Sequence, residues 1–228
     1  MRRRDLLLAL GGLSAAALWQ AACGSGSSKR TSTATNAVDR KDASVSCVLS
    51  PEVTAGPYYV ANHLTRRNVT DGRPGVPLHL HLTILDARTC KPVKGADVEI
   101  WHADATGVYS GVNGNTKHFL RGHQKSDAQG RVLFDTIYPG WYMGRTTHIH
   151  LKVHVGGAVV HTGQLFFPDR TSGAVYRTAS YRAHGEADTT NSADTIYAQG
   201  GGKKAQLRLS RRRDRSGFDG RIAVGVKT

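Results

Sequence analysis

From residue 78 onward the chain alternates between apolar and polar positions. Leu78, Leu80, Leu82 and Ile84 are separated by His79, His81 and Thr83. Val98 and Ile100 are set against Asp97 and Glu99, and residues 131–134 follow the turn Asp127-Ala128-Gln129-Gly130. The longest run covers residues 147–155. Ile149, Leu151, Val153 and Val155 fall on one parity, and His148, His150, Lys152 and His154 on the other. A period of two is the mark of a strand with one face in a core. A further apolar stretch runs from Val159 to Phe167 beyond the Gly156-Gly157 turn. Short strands parted by turn chemistry, with no repeat and no long amphipathic helix, predict an all-β fold: an antiparallel β-sandwich with long loops. Residues 168–200 read as loop, with a short helix after Ser192.

The N-terminus departs from this pattern. Arg2, Arg3 and Arg4 precede the apolar run 6–18, which is too short for a permanent membrane span. Arg3-Arg4-Asp5-Leu6-Leu7 reads as a twin-arginine export signal, a route that carries folded proteins. Ala21-Ala22-Cys23-Gly24 resembles a lipoprotein cleavage site, which would place a lipid anchor on Cys23; ordinary cleavage near Ala21-Ala22 is the other reading. Residues 24–46 are rich in Ser, Thr, Gly and Asn, the composition of a flexible tether. The expected division is therefore a signal at 1–23, a linker at 24–46, a sandwich domain at 47–201 and a basic C-terminal segment at 202–228. The expected location is extracellular or at the cell surface.

The 228 residues suffice for one mid-sized domain with a real core. The formal net charge is +14, and much of it lies beyond Lys203, notably in Arg211-Arg212-Arg213-Asp214-Arg215. A basic surface outside the cytoplasm suits anionic cell-wall polymers, anionic lipid or acidic aromatic substrates better than nucleic acid. A solvated basic tail is the simplest account of it. With Cys23 set aside, Cys47 and Cys90 remain, and two cysteines in an exported chain suggest one disulfide; free buried thiols are the alternative.

The candidate chemistry starts at His148-Ile149-His150. Residues two apart in a strand share a face, so the two imidazoles form half a metal site. His79 and His81 form a second such pair, open to a zinc or copper reading, and spacing alone does not choose between them. Context does. Pro139-Gly140-Trp141-Tyr142 and Arg145 precede His148, and Trp101-His102-Ala103-Asp104 leads into Gly107-Val108-Tyr109-Ser110. With Thr54-Ala55-Gly56-Pro57-Tyr58-Tyr59 and residues 136–142, these stretches resemble the intradiol ring-cleavage dioxygenases, the family of catechol 1,2-dioxygenase and protocatechuate 3,4-dioxygenase. The resemblance covers roughly residues 47–201.

That resemblance implies a non-haem Fe(III) cofactor on Tyr109, Tyr142, His148 and His150. It implies a catechol-type substrate opened with O₂ between its hydroxyl-bearing carbons to a muconate-type diacid. Arg145 is implied as the stabiliser of charge on the ring, and Gln164 as a pocket residue. Gly56, Pro57 and Tyr58 are implied to line the substrate pocket. The donor chemistry agrees: phenols titrate near 10, so tyrosine ligands need a strong Lewis acid, and two phenolates favour ferric iron. Two features depart from the family's best-known members. Only five residues separate Tyr142 from His148, which predicts a short loop and an open pocket. The long helical N-terminal domain through which catechol 1,2-dioxygenases dimerise has no counterpart; a homodimer by another surface stays open.

Register offers a test of Gln164. A regular two-residue turn at Gly156-Gly157 pairs 149 with 164 and turns Gln164 to the wrong face. An irregularity near the turn is expected to restore the parity. The competing reading is a non-catalytic binding sandwich, since residues 92–98, 127–130 and 138–140 resemble transthyretin-like and collagen-adhesin-like repeats. Such a module has no need of the two tyrosines and the His-x-His pair together.

Overall fold

The computed structural model describes residues 48–62 and 64–228. The expected export signal, Cys23, the tether and Cys47 lie outside the described residues. Cys90 is disulfide-bonded.

Eight strands form two four-stranded sheets. One sheet has the order β4-β1-β8-β7, from β1 (Pro77–Asp86), β4 (Arg131–Ile137), β7 (Arg208–Arg211) and β8 (Phe218–Val226). The other has the order β3-β2-β5-β6, from β2 (Asp97–Trp101), β3 (Arg121–Lys125), β5 (His148–Val155) and β6 (Ala158–Phe166). The core lies between them. Leu78, Leu80, Leu82 and Ile84 from β1 meet Val98, Ile100, Ile149, Leu151 and Val153 from the second sheet, all essentially without solvent contact. Each such side chain contributes roughly 1.5–3 kcal/mol by its burial, which locks the register of every strand that carries one. Two short helices follow: α2 (Thr195–Gln199) is the helix expected after Ser192, whereas α1 (Asp169–Tyr176) lies where loop was expected. Asp194 caps α2, accepting from the backbone N–H groups of Ile196 and Tyr197.

The sandwich is as expected, with two differences. Its first sheet is mixed, because β8 runs parallel to β1 from Leu78↔Phe218 to Asp86↔Val226. And residues 202–228, expected as a basic segment following the sandwich, supply β7 and β8. The alternation there was hidden by Arg208 and Arg211, which fall on both parities of β7, and by Gly220 and Gly225, while the partner of β8 lies far back in the chain.

The β5–β6 hairpin settles the register question in an unexpected way. The turn itself is regular: Val155 faces Ala158 across Gly156 and Gly157, both with positive φ as a two-residue hairpin turn of this hand requires. The irregularity lies one step inside it. Val153 faces His161 while His154 faces Val159, so Val160 is the additional residue of a bulge. Beyond it His150 faces Gln164, and the glutamine joins the histidine face.

A chain ended at Gln206 loses an interior strand, β8, together with buried Phe218, Val224 and Val226. It should fail to fold cooperatively, with no melting transition by circular dichroism. A truncated protein that melts like the full chain would restore the solvated-tail reading.

Candidate active site

The outer face of the β3-β2-β5-β6 sheet gathers the candidate residues. Registers Trp101↔Arg121 and Trp101↔His150 place these three side by side, with Gln164 one strand further. The N-terminal arm, residues 50–62, crosses this face. Val53 donates to the Thr162 carbonyl at 3.0 Å, Asn62 to Glu99 Oε1 at 3.1 Å, and the buried Arg121 guanidinium to the Tyr58 carbonyl at 2.8 Å. The arm thereby holds Gly56 and Tyr58 against the histidines. Gly56 has φ +71°, and a Cβ there would stand 3.3 Å from His150 Cε1. Only glycine combines that backbone with so close an approach. Pro57 is exposed beside it.

Four donors converge beneath the arm. His148 Nε2 lies 3.1 Å from His150 Nε2, and the Tyr142 hydroxyl is 3.3 Å from His148 Nε2. The Tyr109 ring meets the Tyr142 ring edge-on at 5.6 Å and the His150 ring at 6.0 Å. Tyr58 stacks on Tyr109 at 4.5 Å, and Trp101 lies flat on His150 at 4.8 Å and 4°. His148 Nδ1 donates to the Thr146 carbonyl at 2.7 Å. A carbonyl only accepts, so that nitrogen carries the proton and the Nε2 lone pair faces the cluster.

The electrostatics of the four donors are of one kind. Burial holds His148 down to about 3, helped by the nearby Arg145 guanidinium, and burial with His148 alongside holds His150 well below the usual imidazole range. Both rings are neutral at neutral pH. Burial pushes the Tyr109 phenol well above its ordinary value, with Tyr142 adding to the shift, and burial also raises Tyr142 against the pull of Arg145. The Tyr109 hydroxyl is buried with no hydrogen-bond partner of normal geometry, a costly state for a polar group. Two neutral imidazoles and two phenols, three of the four side chains buried and the His148 Nε2 lone pair aimed inward, fit a hard, strongly Lewis-acidic cation. Among the described residues no trio of His, Cys, Asp or Glu has metal-holding geometry; the tyrosines are what complete this donor set.

Arg145 stands at the rim. It donates to Asp194 Oδ2 at 2.7 Å, to Gln164 Oε1 at 2.5 Å and to the Tyr142 hydroxyl at 3.4 Å. Gln164 passes its own amide to the Thr54 carbonyl at 3.1 Å, tying the rim to the arm. The short spacing between Tyr142 and His148 is accommodated by a tight turn. Tyr142 and Arg145 bridge across Met143 and Gly144, where Gly144 has φ +79° and Met143 is 83% exposed.

His79 and His81, the rival pair, lie on the outer face of the other sheet. Each has its own carboxylate, Asp135 at 2.6 Å and Asp219 at 3.1 Å. The residue that sequence reasoning missed is Asp194. It fixes Arg145, accepts from the Thr146 backbone N–H at 2.9 Å and caps α2. Its position ahead of a helix is a capping signal; its grip on Arg145, 49 residues away, leaves no local trace.

The fold and the donor cluster describe a sandwich with a candidate metal centre, and the comparisons give its class. The family model described as Dioxygenase matches residues 50–173. The chain belongs to the intradiol ring-cleavage dioxygenase family. Catechol 1,2-dioxygenase 1 of Acinetobacter lwoffii is 35% identical over 101 residues, which cover 41% of this chain and 32% of that protein. The match thus spans about a third of the length of that curated relative. Among solved structures, an intradiol ring-cleavage dioxygenase from Tetranychus urticae superposes with a TM-score of 0.75 at 34% identity, covering 79% of this chain and 95% of that one. The dioxygenase domain of a dioxygenase carbohydrate-binding protein fusion from Streptomyces sp. SirexAA-E gives 0.62 at 29% identity, covering 79% and 99%.

Acid sensitivity should follow from the buried neutral histidines. His102 is wholly enclosed, donates to the Ala103 carbonyl, accepts from Thr136, and is held down to about 4 mainly by burial. An unfolded histidine titrates near 6.5. Between these values the unfolded chain binds more protons, so stability falls as pH falls, by about 1.4 kcal/mol per pH unit for this group. His123, raised chiefly by its contact with Glu99, acts in the opposite sense. The difference between the native chain and His102→Gln isolates the effect. The native melting temperature should drop more steeply from pH 7 to pH 5; parallel profiles would count against it.

Proposed function

We propose that the chain is a ferric-iron intradiol dioxygenase, which opens catechol-type rings with O₂ between the two hydroxyl-bearing carbons and releases muconate-type diacids. The observation that carries this reading is the convergence of Tyr109, Tyr142, His148 and His150 in one buried cluster within a chain of this family. These four would hold the iron. When bound, Fe(III) supplies the positive charge that keeps phenol and catechol oxygens ionised and primes the ring for O₂.

The protein's own residues do the rest. Thr146 fixes the His148 tautomer through its carbonyl. Tyr58 and Trp101 wall the site with aromatic faces, and Gly56 leaves room above His150. Arg145, held by Asp194, presents a fixed cation to negative charge growing on the ring, and it needs no reorganisation during reaction. Gln164 sets the height of that guanidinium and anchors the arm over the substrate. The exposed Met143 and half-buried Tyr142 put the short loop at the edge of the site, which would suit rings with substituents projecting outward. We also propose that the chain leaves the cytoplasm by the twin-arginine route, folded and with its iron, for the cell surface or beyond.

Iron-loaded protein should show a visible tyrosinate-to-iron charge-transfer band and consume one O₂ per catechol. Tyr142→Phe should weaken colour and turnover together. Arg145→Lys, which keeps a cation beside Asp194, should keep the colour and lower kcat by ~10²-fold, the scale for losing one preorganised donor. Colourless, inactive protein after iron loading would sink the proposal, and so would full colour and activity in Tyr142→Phe.

A further inference from the structure

A groove of about 1080 Å³ runs over the outer face of the β4-β1-β8-β7 sheet, on the opposite side of the sandwich from the four donors, none of which lines it. Seven Lys or Arg side chains line it against a single carboxylate, Asp127, which Arg131 already engages at 2.8 Å. Among the described residues Lys125, Lys203, Lys204 and Arg208 have no ion-pair partner. Arg208 and Arg221 face each other directly in the β7–β8 ladder, and Arg221 finds Asp219 only at 3.9 Å. Like charges opposed across strands destabilise a sheet. The chain tolerates that repulsion within this cationic groove, where a bound anion would relieve it.

We propose that this groove binds a linear polysaccharide bearing carboxylates, and so anchors the enzyme to an acidic glycan with the opposite, candidate catalytic face left free. The arginine fork matches a carboxylate, while unpaired lysines add unfocused positive charge. No Phe, Tyr or Trp lines the groove. Bases would therefore have no platform to stack on, and a neutral sugar no aromatic face. A flat bilayer does not enter a concave surface. The sequence 24–47 offers no charge complementarity to the groove, since Lys29, Arg30, Arg40 and Lys41 outnumber Asp39 and Asp42. A second copy would bring the same positive face.

The test uses the full chain with polygalacturonate as the probe, followed by calorimetry and co-sedimentation. Binding is expected at low salt, weakening ~10-fold or more on a rise from roughly 50 to roughly 200 mM salt as screening sets in. Fully methyl-esterified polymer should not bind. The triple variant Lys203→Glu, Lys204→Glu, Arg208→Ser should lose binding at least ~10-fold while its catechol turnover is unchanged. Arg208→Ser alone should weaken binding and leave the melting temperature equal or higher, since it removes the opposed arginine pair; it serves as the readout if the triple variant is unstable. Variants that bind like the native chain would overturn the proposal, as would equal binding of the esterified polymer. Tighter binding to phosphatidylglycerol vesicles or to a single-stranded oligonucleotide would overturn it as well. Binding is read without turnover, so this proposal and the dioxygenase reading fail separately.

Discussion

The site rests on the alternation of β5. Ile149, Leu151 and Val153 are sealed in the core, and that burial forbids a one-residue slip, because a slip would carry all three to the outer face. His148 and His150 are therefore held on the outer face by hydrophobic contacts made on the other side of the strand. The next strand obeys a second constraint. Its hairpin turn alone would face Gln164 inward, and Val160, as one additional residue, reverses the parity of everything from His161 onward. Through Gln164 the register of two strands is passed to Arg145 on one side and to the Thr54 carbonyl on the other.

Charge is kept one step away from the donors. The imidazoles and phenols are neutral, whereas the guanidinium groups nearest them are anchored mainly elsewhere: Arg145 to Asp194, with only a long contact to Tyr142, and Arg121 to the carbonyls of Ser110 and Tyr58. Asp194 stays ionised despite its burial, because Arg145 and the backbone N–H groups of Thr146 and Tyr197 all donate to it. One buried carboxylate thus orients the rim arginine, Thr146 two residues ahead of the histidine strand and the start of α2. A buried Tyr109 hydroxyl with no hydrogen-bond partner of normal geometry is unfavourable by itself. A cation held among the four donors would relieve it.

The legible parts of this protein were those that local periodicity encodes. Strands β1, β2 and β5 announced themselves by alternation, β4 by the turn ahead of it, and the two histidines came with β5. The tyrosines and Arg145 were legible only through the order of several short motifs. What the sequence concealed is non-local. The place of β8 between β1 and β7 depends on a partner some 140 residues upstream. Asp194 and Arg121 act through partners on other elements, and a bulge at Val160 is indistinguishable from a longer strand until its neighbour is known.

The two phenols differ in how firmly they are held, and the difference follows from local backbone. Tyr109 is 5% exposed, stacked by Tyr58 and flanked by Ser110, whose carbonyl and hydroxyl both bind Arg121. Tyr142 sits half-buried on a four-residue turn beside the exposed Met143, with long contacts of 3.3 and 3.4 Å to His148 and Arg145. Moving Tyr109 would unstack a ring and strand a buried arginine; moving Tyr142 costs two long hydrogen bonds, edge contacts with the Tyr58, Tyr109 and His148 rings and a rotation at a glycine-bearing turn. The cluster therefore has a fixed wall at Tyr109 and a more yielding one at Tyr142, on the side where the short loop reaches solvent.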